Sequence, residues 1–564
     1  MDFPGSRNHL WPMLLSMTRD RTTWLCLPLA LVLILMVPVR GGAQATPYVP
    51  NLDPVYQDLD GLIAAGWVRT AIAGLRPYSR LTVARMVVEA RANVTRDGGF
   101  QSQYLREALD RLERAFAPEI HALCVGEGAS CAPLTDYAML RSATADATWA
   151  DSPGRRISTS YGDVANEYID AELNPLVQKN QGRVLADGGT LGGEALVDFG
   201  LGTLLSVQIR PRVWATASPG DGSNLGITLL EGYARGLLGN LAVEVGRNHV
   251  SRGYGREAGP TLSHNARGLD LVRISLDRPA RLPWVLRVLG PVGASALLAD
   301  MGGNSDTPHS KLVVFQGSLK PHPNLELGAT LLNHQGGGSG PSATFVERLQ
   351  DVFLIYPQGK EISDKVIEAA ARLTFPAAGL QLYMEVLTTD DHDLLSSPDQ
   401  ALVTEAVWVV GASVSGLGTE GRTQLWVEAR RAGVRPHTHH QFTSGLTLDG
   451  RIIGDAMGPL GKGLAAGVDW RGSRHTVGLL GAVERYNGAD RYEDISGDGR
   501  FAWVRTLDRP DEIRIRVMGD WVVDAEPRGF GTSVRVGYEH VTHSAFTTRG
   551  RSNFLAQVKL GYHW

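Results

Sequence analysis

In the stretch Leu205-Ser-Val-Gln-Ile-Arg-Pro-Arg-Val213 the odd positions are apolar and the even ones are Ser206, Gln208, Arg210 and Arg212. The same alternation runs through Ile367 to Phe375, with Glu368 and Arg372 on the other face, and through Thr423 to Ala429, with Gln424 and Glu428 opposite. It returns at Ile513 to Val517, continuing through Asp520, and at Val534 to Tyr538. A period of two predicts strands with one apolar and one charged face. Residues 46 to about 120 read differently. Asp53 caps a predicted helix with Pro54 at its first position, and Gly66 ends it. A second helix is predicted from Ser79. A third carries Tyr104, Leu105, Ala108, Leu109, Leu112 and Phe116 at three- and four-residue spacing, one continuous apolar stripe. The pattern therefore predicts a small N-terminal α-helical bundle followed by a long, mainly β region.

A soluble sandwich alternates too, so the pattern alone does not put the apolar face in lipid. The C-terminus helps decide. In Asn553-Phe-Leu-Ala-Gln-Val-Lys-Leu-Gly-Tyr-His-Trp564 the residues Phe554, Ala556, Val558, Leu560, Tyr562 and Trp564 share one face. A last strand ending on an aromatic resembles the assembly signal of bacterial outer-membrane barrels, with Phe554, Tyr562 and Trp564 as its rings and the barrel assembly machinery as its reader. After Val39 no apolar run is long enough for a spanning helix, so a membrane form has to be a closed antiparallel transmembrane β-barrel. A strand of about 10 residues with a connection averaging about 14 gives roughly 18 strands over residues 136 to 564. Charged inner faces would keep such a lumen wet unless loops or the bundle fill it.

The first residues belong to export. Trp24 to Val37 is an apolar run preceded by Arg19 and Arg21 and followed by Ala43-Gln44-Ala45, the pattern of a cleaved signal peptide over 1–45. Met17 is an alternative start. Removal of the signal takes Cys26 and leaves Cys124 and Cys131, read as a disulfide in an oxidising periplasm. The expected organisation is thus signal peptide 1–45, periplasmic bundle 46–135 and barrel 136–564. Glycine is abundant, at 66 of 564 residues, with no collagen-like period, and charged residues make up only 20% against 43% apolar, which excludes a disordered chain. The net charge of −4 offers no excess of cations for a phosphate backbone, so nucleic acid is excluded as a partner.

One set of motifs carries a family resemblance. It begins at Tyr48-Val-Pro, the helix from Asp53 to Asp60, and Arg76-Pro-Tyr-Ser79. It is most specific at Val245-Gly-Arg-Asn-His-Val-Ser-Arg-Gly-Tyr-Gly255, followed by Leu262-Ser-His-Asn-Ala266. It returns at Ser444-Gly, Gly450-Arg-Ile-Ile-Gly454 and Gly458-Pro-Leu-Gly461. In these motifs the chain resembles the Wzi-type capsule assembly proteins of the bacterial outer membrane. The resemblance implies a barrel of this size with a periplasmic bundle at one mouth, binding capsular polysaccharide at the cell surface without catalysis. Arg252 stands where that family commonly has an aromatic.

The residues of the central motif suit a polar ligand. Arg247, Arg252, Tyr254 and Arg256 bring donors and one ring into ten positions, and sugars stack on rings while uronates take arginine forks. The alternative is that this glycine-rich loop only packs into the barrel mouth. Other candidates are weaker. His437, His439 and His440 have metal-ligand chemistry, and Asp390-Asp-His-Asp393 and Asp494-Ile-Ser-Gly-Asp-Gly499 have calcium-type oxygens. Each reads better as a solvated loop, so no metal or cofactor is expected. Glu385 with Asp390 or Asp391 brings to mind glycosidase carboxylates, whose separation no sequence reveals. Two non-catalytic readings remain, a polysaccharide anchor and a porin-like diffusion channel, and they differ in whether the lumen is open. Gly336 to Gly340 and the partly helical Ala343 to Leu354 are expected to fold inward and block it.

Overall fold

The computed structural model describes residues 44–564 except 97–101, 124–132, 152–153, 161–167, 178, 220–221, 258, 354–360, 390–396, 434, 488–489, 495–500, 506–508 and 525–527. The export segment before residue 44, Cys124 with Cys131, Asp390 to Asp393 and Ile495 to Gly499 lie outside the described residues. Four helices open the chain: α1 (Val55–Ala64), α2 (Arg80–Arg96), α3 (Gln103–Ala115) and α4 (Ala117–Ala122). Asp53 does cap the first, accepting from the Val55 N–H at 2.9 Å. The predicted stripes meet in one core, in which Leu59, Leu62, Val83, Val87, Leu109, Leu112 and Phe116 are buried together.

Eighteen antiparallel strands then close into a barrel. They are β1 (Tyr137–Asp151), β2 (Gly188–Leu201), β3 (Leu205–Ser218), β4 (Gly222–Leu238), β5 (Leu241–Asn248) and β6 (Leu269–Leu276). Next come β7 (Pro291–Asp300), β8 (Lys311–His322), β9 (Leu325–Gln335), β10 (Ser363–Phe375), β11 (Leu380–Thr389) and β12 (Val407–Leu417). The last six are β13 (Thr423–Arg431), β14 (Gly461–Arg471), β15 (His475–Tyr486), β16 (Glu512–Val523), β17 (Gly529–Thr542) and β18 (Arg551–His563). Closure is by β18 on β1, in register from Asp151 against Phe554 to Ser142 against His563. The alternation read from sequence is the wall itself. Leu298, Leu382, Leu425, Leu479, Val517 and Val558 stand exposed on the outside, while the charged partners face in. At the C-terminus the Tyr562 ring lies edge-on between Phe530, at 4.9 Å, and Trp564, at 4.8 Å.

Connections alternate in length. At the end where β18 finishes most are turns of a few residues, as between β8 and β9 or β14 and β15, and at the other end most are long, the β3–β4 turn being the short exception. This asymmetry is that of outer-membrane barrels, whose short turns face the periplasm. The bundle sits on the short-turn mouth. Ser79 Oγ donates to Asp277 at 2.6 Å, Ser102 Oγ to the Glu420 carbonyl at 3.0 Å, and Arg422 forks onto Glu107. Buried Asp58 on α1 receives both Arg111 from α3, at 2.8 Å, and Arg471 from the end of β14, at 3.2 Å. Charge pairs that join bundle to wall in this way make the bundle a fixed cover of that mouth.

One expectation fails. The segment after Ala343 does not enter the lumen. Helix α5 (Phe345–Val352) lies against the outside of the wall, where its Asp351 reaches Asn333 on β9 and Lys365 on β10, both on the outward-pointing register of their strands. Helical periodicity reports an apolar face and not the side of a wall that it meets. The Gly336 to Gly340 turn packs over the β7–β8 connection, with the Gly338 N–H donating to the Pro308 carbonyl at 2.9 Å.

Candidate functional site: a plug built on the central motif

The connection from β5 to β6 carries the motif, and it turns down into the barrel. Its neck is apolar. Val250, Leu262 and Ala266 pack with Ile452, Ile453 and Met457 of the β13–β14 connection and with inward wall residues Leu297, Val314, Leu332 and Val409. A hairpin of Arg155–Ser160 with Tyr168–Leu173 adds Ile169 and Leu173 to this core and joins the β13–β14 connection through a bridge between Tyr168 and His439. Below the neck, Leu75–Arg76 of the bundle-side segment pairs antiparallel with Ser251–Arg252 of the loop. Chain entering from opposite mouths therefore meets inside the lumen and fills it from end to end on this side.

Three wall carboxylates hold the tip. Glu385 on β11 accepts the Tyr254 and Gly255 N–H groups, the latter at 2.9 Å. Glu428 on β13 accepts Arg256 and Glu257 N–H at 2.7 and 3.2 Å. Glu326 on β9 accepts Ala73 and Gly74 N–H at 3.0 and 2.9 Å, together with the Tyr254 hydroxyl at 3.1 Å. Each carboxylate takes a consecutive pair of N–H groups, the charge-assisted arrangement that makes such bonds strong. Gly253 is needed at the turn: its φ is +111° and a Cβ there would lie 2.4 Å from Glu385.

The four nominated side chains separate into two groups. Arg252 is fully buried. Its guanidinium donates to Thr330 Oγ1 at 3.1 Å, the Gly74 carbonyl at 3.0 Å and Ser318 Oγ at 2.9 Å, with Glu368 at 3.4 Å. Gly328 on the wall leaves room for it, since a Cβ there would stand 1.8 Å from Arg252 Nη2. Tyr254 rests beside Arg372, whose guanidinium lies 5.5 Å from the ring centre. Burial and the neighbouring Glu326 push its hydroxyl well above the usual phenol range. Arg256 crosses Trp426 at 5.1 Å and binds Gln424 and Asp469. Next to it, burial raises the Glu257 carboxyl but Lys179 and Arg516 outweigh that and hold it at about 2. Arg247 is elsewhere. It lies on the outward register of β5 at the long-loop mouth, paired with Asp270 at 2.7 Å. Arg267 continues this rim, bridging Asp270 and Asp449, and Asn304 donates to Asp449 at 3.0 Å.

Of the weaker candidates, His439 and His440 do come together with Glu361, at 3.8 and 3.4 Å. His439 Nδ1 accepts the Gln441 and Phe442 N–H groups, so its Nε2 carries the proton and faces Glu361 as a donor. That tautomer is a hydrogen-bonding one, opposed to metal ligation through Nε2. His437 is buried apart from them, and burial lowers its value to about 4. Glu385 is committed to the motif loop. Sequence reasoning missed Glu326 and Glu428 as partners of that loop, because nothing in a strand's alternation says which far loop its inner face will meet.

A sequence profile described as capsule assembly protein Wzi matches residues 166–481, more than half of the chain. The chain belongs to the Wzi capsule assembly family. Among solved structures, an Escherichia coli Wzi, described as a carbohydrate-binding β-barrel of the outer membrane involved in group 1 capsule assembly, superposes with a TM-score of 0.62 at 14% identity. That match covers 91% of this chain and 99% of the other, and it shows a shared fold. Pseudomonas aeruginosa OccD3 gives a TM-score of 0.42 at 10% identity over 76% of this chain and 92% of its own, and OprD 0.41 at 8% over 76% and 93%. A comparison with curated proteins finds no match.

Proposed function

We propose that this Wzi-family barrel holds capsular or extracellular polysaccharide at the cell surface, without catalysing a reaction on it, after export through a cleaved signal peptide. The observation that carries the reading is the plug, considered with the family. The segment most characteristic of the family is spent on closing the lumen, which is the construction of a scaffold and works against a diffusion channel. Polymer contact falls to the long-loop mouth. There Arg247, Arg267, Asp270, Asp449 and Asn304 present forks, carboxylates and an amide from three connections in one rim, groups that suit sugar hydroxyls and uronates. Arg252, Tyr254 and Arg256 contribute by fixing the loop beneath it. The aromatic C-terminus, with Phe554, Tyr562 and Trp564, serves the barrel assembly machinery, and Trp564→Ser is expected to lower the yield of heat-modifiable barrel.

The test compares cell-retained with shed polymer in three strains that assemble equal barrel. Arg247→Ala with Arg267→Ala is expected to shed polymer while the lumen stays closed in planar bilayers. The triple change Arg252→Ala, Tyr254→Ala, Arg256→Ala is expected to shed polymer and also to conduct. Unchanged retention in both, or stable conductance by the unaltered protein, would overturn the reading in favour of other loops or of a channel.

A further inference from the structure

Helix α5 has two faces that fit no soluble setting. Its underside carries Asp351, which meets Lys365 on the outward side of β10 at 2.9 Å, the two side chains 0% and 2% exposed. Asn333 and Ser363 are buried with them, both bonded to Asp351. Asn333, Ser363 and Lys365 point away from the lumen, on a register that farther along the same strands carries exposed Leu327 and Leu373. An uncovered Lys365 there would face hydrocarbon, where an unscreened charge is costly. The helix covers it. Its other face shows Phe345, 79% exposed, and Val346, 60% exposed, with Leu349 and Phe353 beside them. The Phe353 ring lies tilted at 6.0 Å from that of Phe315, an outward residue of β8, so this apolar face runs without a break into the lipid-facing belt. The N-terminal end is closed by a capping box between Thr344 and Glu347, with Arg348 bonded back to the Pro341 and Ala343 carbonyls.

We propose that α5 is a membrane-interface helix: Phe345, Val346, Leu349 and Phe353 insert among the acyl chains of the outer leaflet, and the helix thereby seals the Asp351–Lys365 pair from lipid. Continuity with the belt selects lipid as the occupant. An amphipathic helix lying in the interface plane with aromatic and branched residues down is the known form of such a contact. The position at the long-loop end of β8 to β10 places it in the leaflet that faces the cell exterior.

The experiment places an environment-sensitive NBD label at Val346→Cys in the full-length barrel with its native cysteines replaced by Ser, reconstituted in phosphatidylcholine vesicles. A label at Ser342→Cys, before the helix, is the control. Equal heat modifiability establishes that each labelled barrel is folded. The expected result is blue-shifted emission at 346, quenched by nitroxide placed on the acyl chains, and red-shifted emission at 342 quenched from the aqueous phase instead. Water-like emission at 346 that ignores acyl-chain nitroxide would overturn the proposal. So would blue-shifted emission that ignores the nitroxide and rises with protein density, which would assign the face to a second copy of the chain.

Discussion

The lumen has two halves of different chemistry. Facing β6 to β13 it is solid: apolar neck above, and below it Arg252 among Glu326, Glu368, Glu385 and Glu428, all of them buried. Facing β16 and β17 the inner wall carries an ion pair, Asp520 with Arg535, whose side chains are 39% and 40% exposed. A small apolar cluster lies nearby, with Leu176 and Val177 resting on Ala150 and Leu555. The same alternation of strands built both halves. What separates them is whether chain turned inward: the buried carboxylates of β9, β11 and β13 meet its backbone N–H groups, whereas the buried charge of β16 and β17 is met by side chains, Arg514 lying between Glu512 and Glu539.

The largest effect should come from removing those acceptors. Glu385→Ala with Glu428→Ala leaves four N–H groups of the loop tip without partners, at about 1–3 kcal/mol for each group that stays buried. A fall in the thermal midpoint and the appearance of conductance are expected, whereas Glu385→Gln, which keeps an acceptor, should lose less. If the double variant unfolds like the parent, the loop is not held by these groups. Next comes Gly328→Val, which pushes a branched side chain into Arg252 and should cost about 1–3 kcal/mol. Gly481→Ala, whose Cβ meets nothing within 4 Å, is the neutral counterpart. A sensitivity to Gly481 equal to that at Gly328 would erase the contrast.

A third test uses acid. Burial lowers His437 to about 4, and burial with the nearby His249 lowers His264 to about 3, from an ordinary 6.5. A histidine held neutral in this way adds stability that is complete above about 6.5 and is lost as the pH falls toward the folded value. The plug should loosen between pH 6 and 4, read as protease sensitivity of its loops, and His437→Gln should flatten that dependence. The smallest effect belongs to the open half. Asp520→Ala removes one partner of a half-exposed pair and should cost below about 1 kcal/mol in unfolding experiments.

Much of the wall was legible in the chain. Leu205 to Val213, Thr423 to Ala429 and the terminal Phe554 to Trp564 read as strands because a wall with lipid on one side enforces a strict period of two. The α3 stripe through Leu109 and Leu112 was equally plain. The partners of Arg252 and Tyr254 were not, since Thr330 and Glu326 lie 78 and 72 residues away and meet them only through barrel closure. The placement of α5 was misread for a related reason: its amphipathic pattern suits a lumen and a lipid surface alike.

The glutamate grip also sets an order of events during assembly. Glu326, Glu385 and Glu428 stand on β9, β11 and β13, and Tyr254 and Arg256 reach them across sequence separations of 72, 131 and 172 residues. Contacts of such high order form late, after the intervening chain has been ordered. The nascent barrel should therefore pass through a hollow, water-filled stage with its sheet already paired, and loop docking would be a separate, slower kinetic phase that stopped-flow quenching of Trp426 by an aqueous quencher could time.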